Sequence, residues 1–350
     1  MTIVYSLLHM LVDGICALAM FGHYVRTGDG TFAFLVYNFC AFALQMPLGV
    51  LLDLLNLQHE EKRKDFSFWF AVIGVMVTLL GTIIHPAVLG IGNALFHVGG
   101  GVGTAKEDEE KKWKGKGLGV FVAPGALGLY LGTILAKRGD WKIGLFVASG
   151  MAVLLTILAR NLYQKRGKEM YRYISQATIC CTRKEGAAWL VVCCFLVVIL
   201  RSYIGMEISF PWKQAPLFGL VGVLAVVGGK VAGGFTAVRF GYYKMVVITL
   251  VTATIGYLVL EFAPLGLIAL FAFNMTMPVT LYLVMKALPK MSGFAFGLLT
   301  FGLFLGFLPT YFGWKISLTG QQLGAAGSLL SMMILLTGIW RGGKHGAVSD

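Results

Sequence analysis

Eight side chains able to hold a charge, a proton or a polar ligand stand in strongly apolar stretches of this sequence: His9, Asp13, Asn93, His97, Arg201, Glu207, Lys230 and Asn274. His9 and Asp13 are four residues apart, so a helix would put them on one face, within reach of each other. Such a pair can share a hydrogen bond or pass a proton. Burial disfavours the charged form of a carboxylate, which suits a site that must load and release a proton near neutrality. The competing reading is a structural polar pair that ties its helix to a neighbour. Asn93 and His97 repeat the same spacing and carry the same two readings. Arg201 and Glu207 are six apart, on opposite faces of a helix, and are not expected to pair with each other. Arg201, planar and always charged, can hold an anionic group or the carboxylate of Asp13. Glu207 can equally stand near a water-facing surface beside Lys213. Lys230, set among glycines, requires a counter-charge, for which Asp13 and Glu207 are the candidates. Tyr37, Phe96, Tyr203 and Phe273 can line a cavity or simply pack.

The elements that must position these groups follow from composition. The chain has 350 residues, of which 57% are hydrophobic and 13% charged. A water-soluble domain carries about a quarter charged residues, so this chain lacks the polar surface to cover a globule. Its apolar runs have the length that crosses a bilayer core as helix, about 20 residues. They are continuous rather than alternating, and lipid offers no partner to an open backbone, so the spans are helices rather than barrel strands. Twelve spans are predicted, near 3–22, 31–55, 67–84, 87–104, 117–136 and 142–160, then 187–208, 216–237, 244–261, 263–285, 293–313 and 321–340. The longest polar stretch, 161–186, reads as a surface helix followed by a linker. The expected organisation is an all-α membrane protein of two six-helix bundles, 1–160 and 187–350, joined by a cytoplasmic linker at 161–186. The first run has no basic leader and no small-residue cleavage site, so it is expected to remain as a span.

Charge supplies the orientation. With the N-terminus in the cytoplasm, the loops and tail on that side hold 21 of the 29 lysines and arginines, and the outer loops hold six: Arg26, Lys137, Arg138, Lys142, Lys213 and Lys315. Inner-loop enrichment in positive charge predicts both termini inside, hence an even number of spans, in a multi-pass protein of the plasma (inner) membrane. It also accounts for the net charge of +13 through contact with anionic lipid headgroups rather than nucleic acid. Four of the six cysteines lie in apolar runs. The vicinal pair Cys180–Cys181 has no histidine or further cysteine near it, so neither a metal site nor a disulfide framework is expected.

Two loops echo each other. At the end of span two stand Gly49, Leu51 and Asp53. At the end of span eight stand Gly234, Arg239 and Gly241. Aligned on Gly49 and Gly234 they are partial copies of G-x-L-x-D-R-x-G, with Leu54 and Asn56 replacing Arg and Gly in the first and Val238 replacing Asp in the second. The chain here resembles the major facilitator superfamily, whose motif this is. That resemblance implies a gate in which an acid at a cytoplasmic helix end meets the positive end of a neighbouring helix. The plain alternative for Asp53 is a solvated helix-end residue. Span five carries Gly119, Pro124, Gly125 and Gly128, similar to the superfamily signature G-x-x-x-G-P-x-x-G-G, which is associated with antiporters that export solutes. Small residues with a proline make a kinked, closely packed helix, and ordinary small-residue packing is the alternative. Span eleven echoes it with Gly302, Gly306 and Pro309. Asn274 falls where Asn93 falls when the halves are aligned. Within the superfamily the segments 93–100, 200–203 and 278–281 resemble fosmidomycin-resistance-type exporters.

The resemblance implies a secondary active transporter that moves a small solute by alternating access, through proton-coupled efflux. Proton-coupled uptake, or a non-transporting sensor or partner subunit on the same fold, are the alternatives. Arg201 and Lys230 suggest an anionic or zwitterionic solute. Protons, membrane lipid and a monomeric state complete the expected associations. No nucleotide-binding loop is present, and no cofactor is expected. A membrane enzyme would need clustered acids or an activated His or Cys near the interface; the acids are scattered, so no enzymatic activity is expected.

Overall fold

The structure, a computed structural model, describes residues 1–59, 65–173, 186–314 and 316–344. The basic run 62–64, Lys315 and residues 174–185 of the predicted linker, with the Cys180–Cys181 pair, lie outside these residues.

Among the described residues, twelve helices account for the apolar runs. They are α1 (Thr2–Thr27), α2 (Gly30–Gln58), α3 (Ser67–Ile84), α4 (Pro86–Glu110), α5 (Lys116–Arg138) and α6 (Trp141–Tyr173). After the polar stretch come α7 (Ala187–Glu207), α8 (Pro216–Phe240), α9 (Tyr242–Leu258), α10 (Ala263–Ala287), α11 (Ser292–Tyr311) and α12 (Gly320–Lys344). Ten are long and apolar enough to cross a membrane, and α9 is a shorter apolar helix. The remaining one, α4, carries its predicted span inside a longer helix whose last turn is charged from Lys106 to Glu110. No strand occurs among the described residues. Each predicted span falls on one helix, but several helices run longer. The segment read as a separate surface helix begins as an unbroken continuation of α6 to Tyr173.

Local interruptions shape four of these helices, among them α10, which breaks at Met275. A π turn occupies Met20–Tyr24 in α1 and another Phe39–Ala43 in α2. In α5, Pro124 has no N–H to give to the preceding turn, and the helix breaks between Val122 and Gly125.

Contacts divide the chain into two compact units. The first comprises 1–113, 120–182 and 289–297; the second comprises 114–119, 183–288 and 298–350. In the first unit, Leu52, Phe70, Val98 and Val102 form a buried cluster where α2, α3 and α4 meet. α1 lies against α5 at near-backbone distance. A side-chain carbon added at Gly128 would collide with the Met10 carbonyl, and one at Gly132 with that of Gly14. Small residues are what allow this approach. By contrast, α6 turns Ile143, Phe146, Val147 and Leu154 outward, with Phe146 82% exposed, the expected finish for a lipid-facing surface. In the second unit Ser202 donates to the Leu303 carbonyl at 2.7 Å, next to the backbone approach at Gly306.

Candidate functional site

The i, i+4 pairs of α1 and α4 meet inside the first unit. His9 Nε2 lies 3.1 Å from Asp13 Oδ2, and His97 Nε2 lies 3.6 Å from Asp13 Oδ1. The two Nε2 atoms are 2.9 Å apart. Asn93 Nδ2 donates to Asp13 Oδ1 at 3.1 Å. His9, Asn93 and His97 are buried. Phe96 and Phe121 rings pack on His9, with centroids 6.4 and 5.0 Å away, so the polar cluster has aromatic walls.

Backbone geometry fixes which nitrogens carry hydrogen. His9 Nδ1 faces the Phe121 carbonyl at 2.7 Å, just before the break in α5, and His97 Nδ1 faces the Asn93 carbonyl at 2.8 Å. A carbonyl oxygen only accepts, so both Nδ1 atoms donate. The Nε2 atoms, turned toward each other and toward a carboxylate, are then lone pairs in the neutral rings. At 2.9 Å the two Nε2 atoms are close enough to share one positive centre.

The break in α5 serves this arrangement in a second way. A side-chain carbon at Gly125 would sit against both His9 Nε2 and Asp13 Oδ2. Sequence reasoning placed Gly125 in the span-five motif but gave it no part in the site; only its position after Pro124 hinted at one. The Phe121 carbonyl had no sequence signal, because any residue supplies a carbonyl. Cys16, toward which Asn93 Nδ2 also points at 3.6 Å, was read only as an apolar-span cysteine.

The other four predicted groups belong to the second unit. Arg201 is buried, and its Nη1 has no hydrogen-bond partner among the described residues. Glu207 accepts from Thr310 Oγ1 at 2.7 Å and is partly buried rather than at an open surface. Lys230 is half-buried on α8, where its own carbonyl lies beside Gly119. Asn274 donates to the Leu270 carbonyl of its own helix at 2.8 Å, so the repeat places an asparagine but not the cross-helix bond of Asn93.

The loop motif is also resolved. Asp53 is buried, and its carboxylate accepts from Gly293 N at 2.9 Å and from Phe294 N at 2.7 Å, both in the first turn of α11. Those amides have no partner within their own helix. Gly49 meets the Gly293 backbone directly. In the second copy, Gly234 stands against Gly115 and Lys116. Gly241 has φ +82°, a conformation that favours glycine, and ends α8. Arg239 is exposed, over the Phe240 ring at 5.5 Å.

No protein-family model matches the sequence, and no curated protein matches it. Solved structures do match the fold. A variant of the E. coli fucose:proton symporter FucP aligns with a TM-score of 0.62 at 12% identity, over 97% of both chains. FucP in an outward conformation, described as a major facilitator superfamily transporter, aligns at 0.56 and 12% identity, over 96% of this chain and 98% of that one. A bacterial homologue of the iron transporter ferroportin, in an outward-facing state, aligns at 0.56 and 14% identity, over 99% of this chain and all of that one. The chain therefore has the major facilitator fold, an all-α arrangement in which, among the described residues, ten helices are long and apolar enough to cross a membrane.

Proposed function

We propose that this protein is a secondary active transporter, of the fosmidomycin-resistance type, that exports a small anionic or zwitterionic solute in exchange for protons. The observation that carries this reading is the buried His9–Asp13–His97 cluster. Ionisable groups inside a membrane cost about 2.5–3.5 kcal/mol each even on insertion scales, and they persist where they move protons or hold a ligand. Here three converge, with two imidazole nitrogens and a carboxylate close enough together to hold a proton. Arg201, buried with an unsatisfied Nη1, supplies the charge for an anionic group on the solute. Lys230, Glu207 and Asn274 are assigned to the same solute path.

Asp53, holding the first turn of α11, acts as a latch in one state of the carrier, with Gly49, Gly234, Arg239 and Gly241 shaping the two loops. The break around Pro124, flanked by Gly119 and Gly128, positions α5 for this cycle. The halves 1–160 and 187–350, joined by 161–186, carry out alternating access in the plasma (inner) membrane with both termini cytoplasmic. The unit is a monomer. Proton-coupled uptake is the second reading; the fold likeness to a fucose:proton symporter favours it.

The test uses proteoliposomes loaded with a pH-sensitive dye and challenged with a panel of radiolabelled anionic and zwitterionic solutes. At least one solute should move with a change in internal pH. Asp13→Asn should abolish the pH change, and Arg201→Ala should lower solute movement at least tenfold. Wild-type rates in both variants would refute the site, and no movement of any solute would refute the transporter. The direction of proton flow relative to solute separates export from uptake.

A further inference from the structure

Protons are not the only positive centre this cluster fits. We propose that His9 Nε2, His97 Nε2 and a carboxylate oxygen of Asp13 form a binding site for a divalent transition-metal ion. The inference deepens the transporter reading, on which it rests for its purpose, since the ion takes the place assigned above to the coupling proton. When the ion binds, the proton held on an imidazole leaves to water and the freed lone pair becomes a ligand. This site is not one the sequence led us to expect.

Three observations carry it. The first is distance. Zinc-type ions bind imidazole nitrogen at about 2.0–2.1 Å and carboxylate oxygen at about 2.0–2.2 Å, which spaces neighbouring ligands about 3–3.5 Å apart. The atoms here are 2.9, 3.1 and 3.6 Å apart, and the ligand atoms of all three residues lie within 4.8 Å of one another. The second is orientation. Metal-bound histidines donate their other ring nitrogen to a carbonyl or carboxylate, which fixes the tautomer and aims the lone pair. Both Nδ1 atoms do so, to Phe121 and Asn93, and Asn93 Nδ2 holds the carboxylate. The third is room: Gly125 leaves clear the space beside His9 Nε2 and Asp13 Oδ2 that a side-chain carbon would take.

Donor chemistry selects the ion. Two imidazoles and one carboxylate suit Fe²⁺, Co²⁺, Ni²⁺ or Zn²⁺, whereas Mg²⁺ and Ca²⁺ prefer all-oxygen sites. Three protein ligands leave coordination positions open, so the ion can exchange rather than remain as a structural fixture.

The experiment titrates Co²⁺ into the tag-free full-length protein in detergent, in metal-free buffer, and reads the visible d–d spectrum together with bound metal per chain. One Co²⁺ per chain is expected, displaced by Zn²⁺. His97→Gln, Asp13→Asn and Gly125→Ala should each weaken binding at least tenfold, while Arg201→Ala should bind as the wild type does. Wild-type protein that binds no more Co²⁺ than the His9→Gln/His97→Gln double variant overturns the proposal. Should that variant not fold, electron-spin-echo spectra of Cu²⁺ on the wild type decide. Modulation from two imidazoles supports the site, and its absence overturns it. Solute-linked pH changes that continue in chelator-treated liposomes, from protein that binds no Co²⁺, overturn the metal site and leave the transporter standing. Stoichiometric Co²⁺ binding without any solute or proton movement supports the site while refuting the transport reading.

Discussion

Asp53 shows how one carboxylate can fix an element from a distance of 240 residues in sequence. It satisfies two of the amides that a helix start leaves open, in the manner of an N-cap, where loss of the acceptor costs about 0.5–2 kcal/mol. Asp53→Ala should therefore raise the opening equilibrium of the α11 start about 2- to 30-fold; hydrogen exchange at the Gly293 and Phe294 amides measures it. Lys213, in the turn Pro211–Gln214 outside the spans, makes a second residue-scale case. Burial pushes its pKa down to about 8, and its ammonium lies over the Phe210 ring at 4.3 Å. The unfolded chain holds this proton up to the ordinary lysine value, whereas the folded one releases it earlier. Between those two values the unfolded state binds more protons, so stability should rise as pH climbs from about 8 toward about 10.4, the unperturbed lysine value. Thermal unfolding of wild type against Lys213→Met across that window tests this, with the slope absent in the variant. The same neutral fraction should make Lys213 react with an acylating reagent at pH 8 ahead of the exposed lysines, as read by peptide mass mapping.

Among the helices, α5 shows most directly how a sequence pattern becomes a site. Its small residues bring it onto α1, and its break leaves the Phe121 carbonyl on His9. Gly128→Val would force a branched side chain against the Met10 carbonyl, and backbone cannot yield as a side-chain tip can. A cost of at least about 1–3 kcal/mol follows, to be read as a lower unfolding midpoint in detergent. Pro124→Ala restores a donor to the broken turn. It should straighten α5, draw the Phe121 carbonyl away from His9 and reduce the solute-linked pH change, with folding retained. An unchanged pH response with a straightened helix would mean that the His9 contact is incidental.

For the whole molecule, the twelve helices and the inner-loop excess of positive charge predict an even crossing number with 161–186 on the same side as both termini. Single cysteines placed in that segment of a cysteine-free background should resist a membrane-impermeant maleimide in intact cells and react after permeabilisation. The positions of all twelve helices were readable because a bilayer sets both the length and the apolarity of anything that crosses it. Their ends were less so. α1, α2 and α4 continue past the apolar run, since hydrogen bonding along a helix does not stop where lipid does. At the site, His9 with Asp13 and Asn93 with His97 were legible as pairs because helical spacing is a local property. That the two pairs face each other was not, because nothing within either helix records its rotation against the other.

From composition and periodicity alone came a helical membrane protein and the small residues of its fifth and second spans, together with an expected orientation and a set of candidate polar groups. Packing brought two histidines and an aspartate together at 2.9–3.6 Å and carried Asp53 to the start of α11. It alone turned both Nδ1 atoms to carbonyls and left both Nε2 atoms pointing at one spot. The reason is physical: periodicity and hydropathy act along one helix at a time. The convergence of lone pairs depends on the packing of α1, α4 and α5 together, where a missing side chain at Gly128 lets two backbones close and one at Gly125 leaves room for His9 and Asp13.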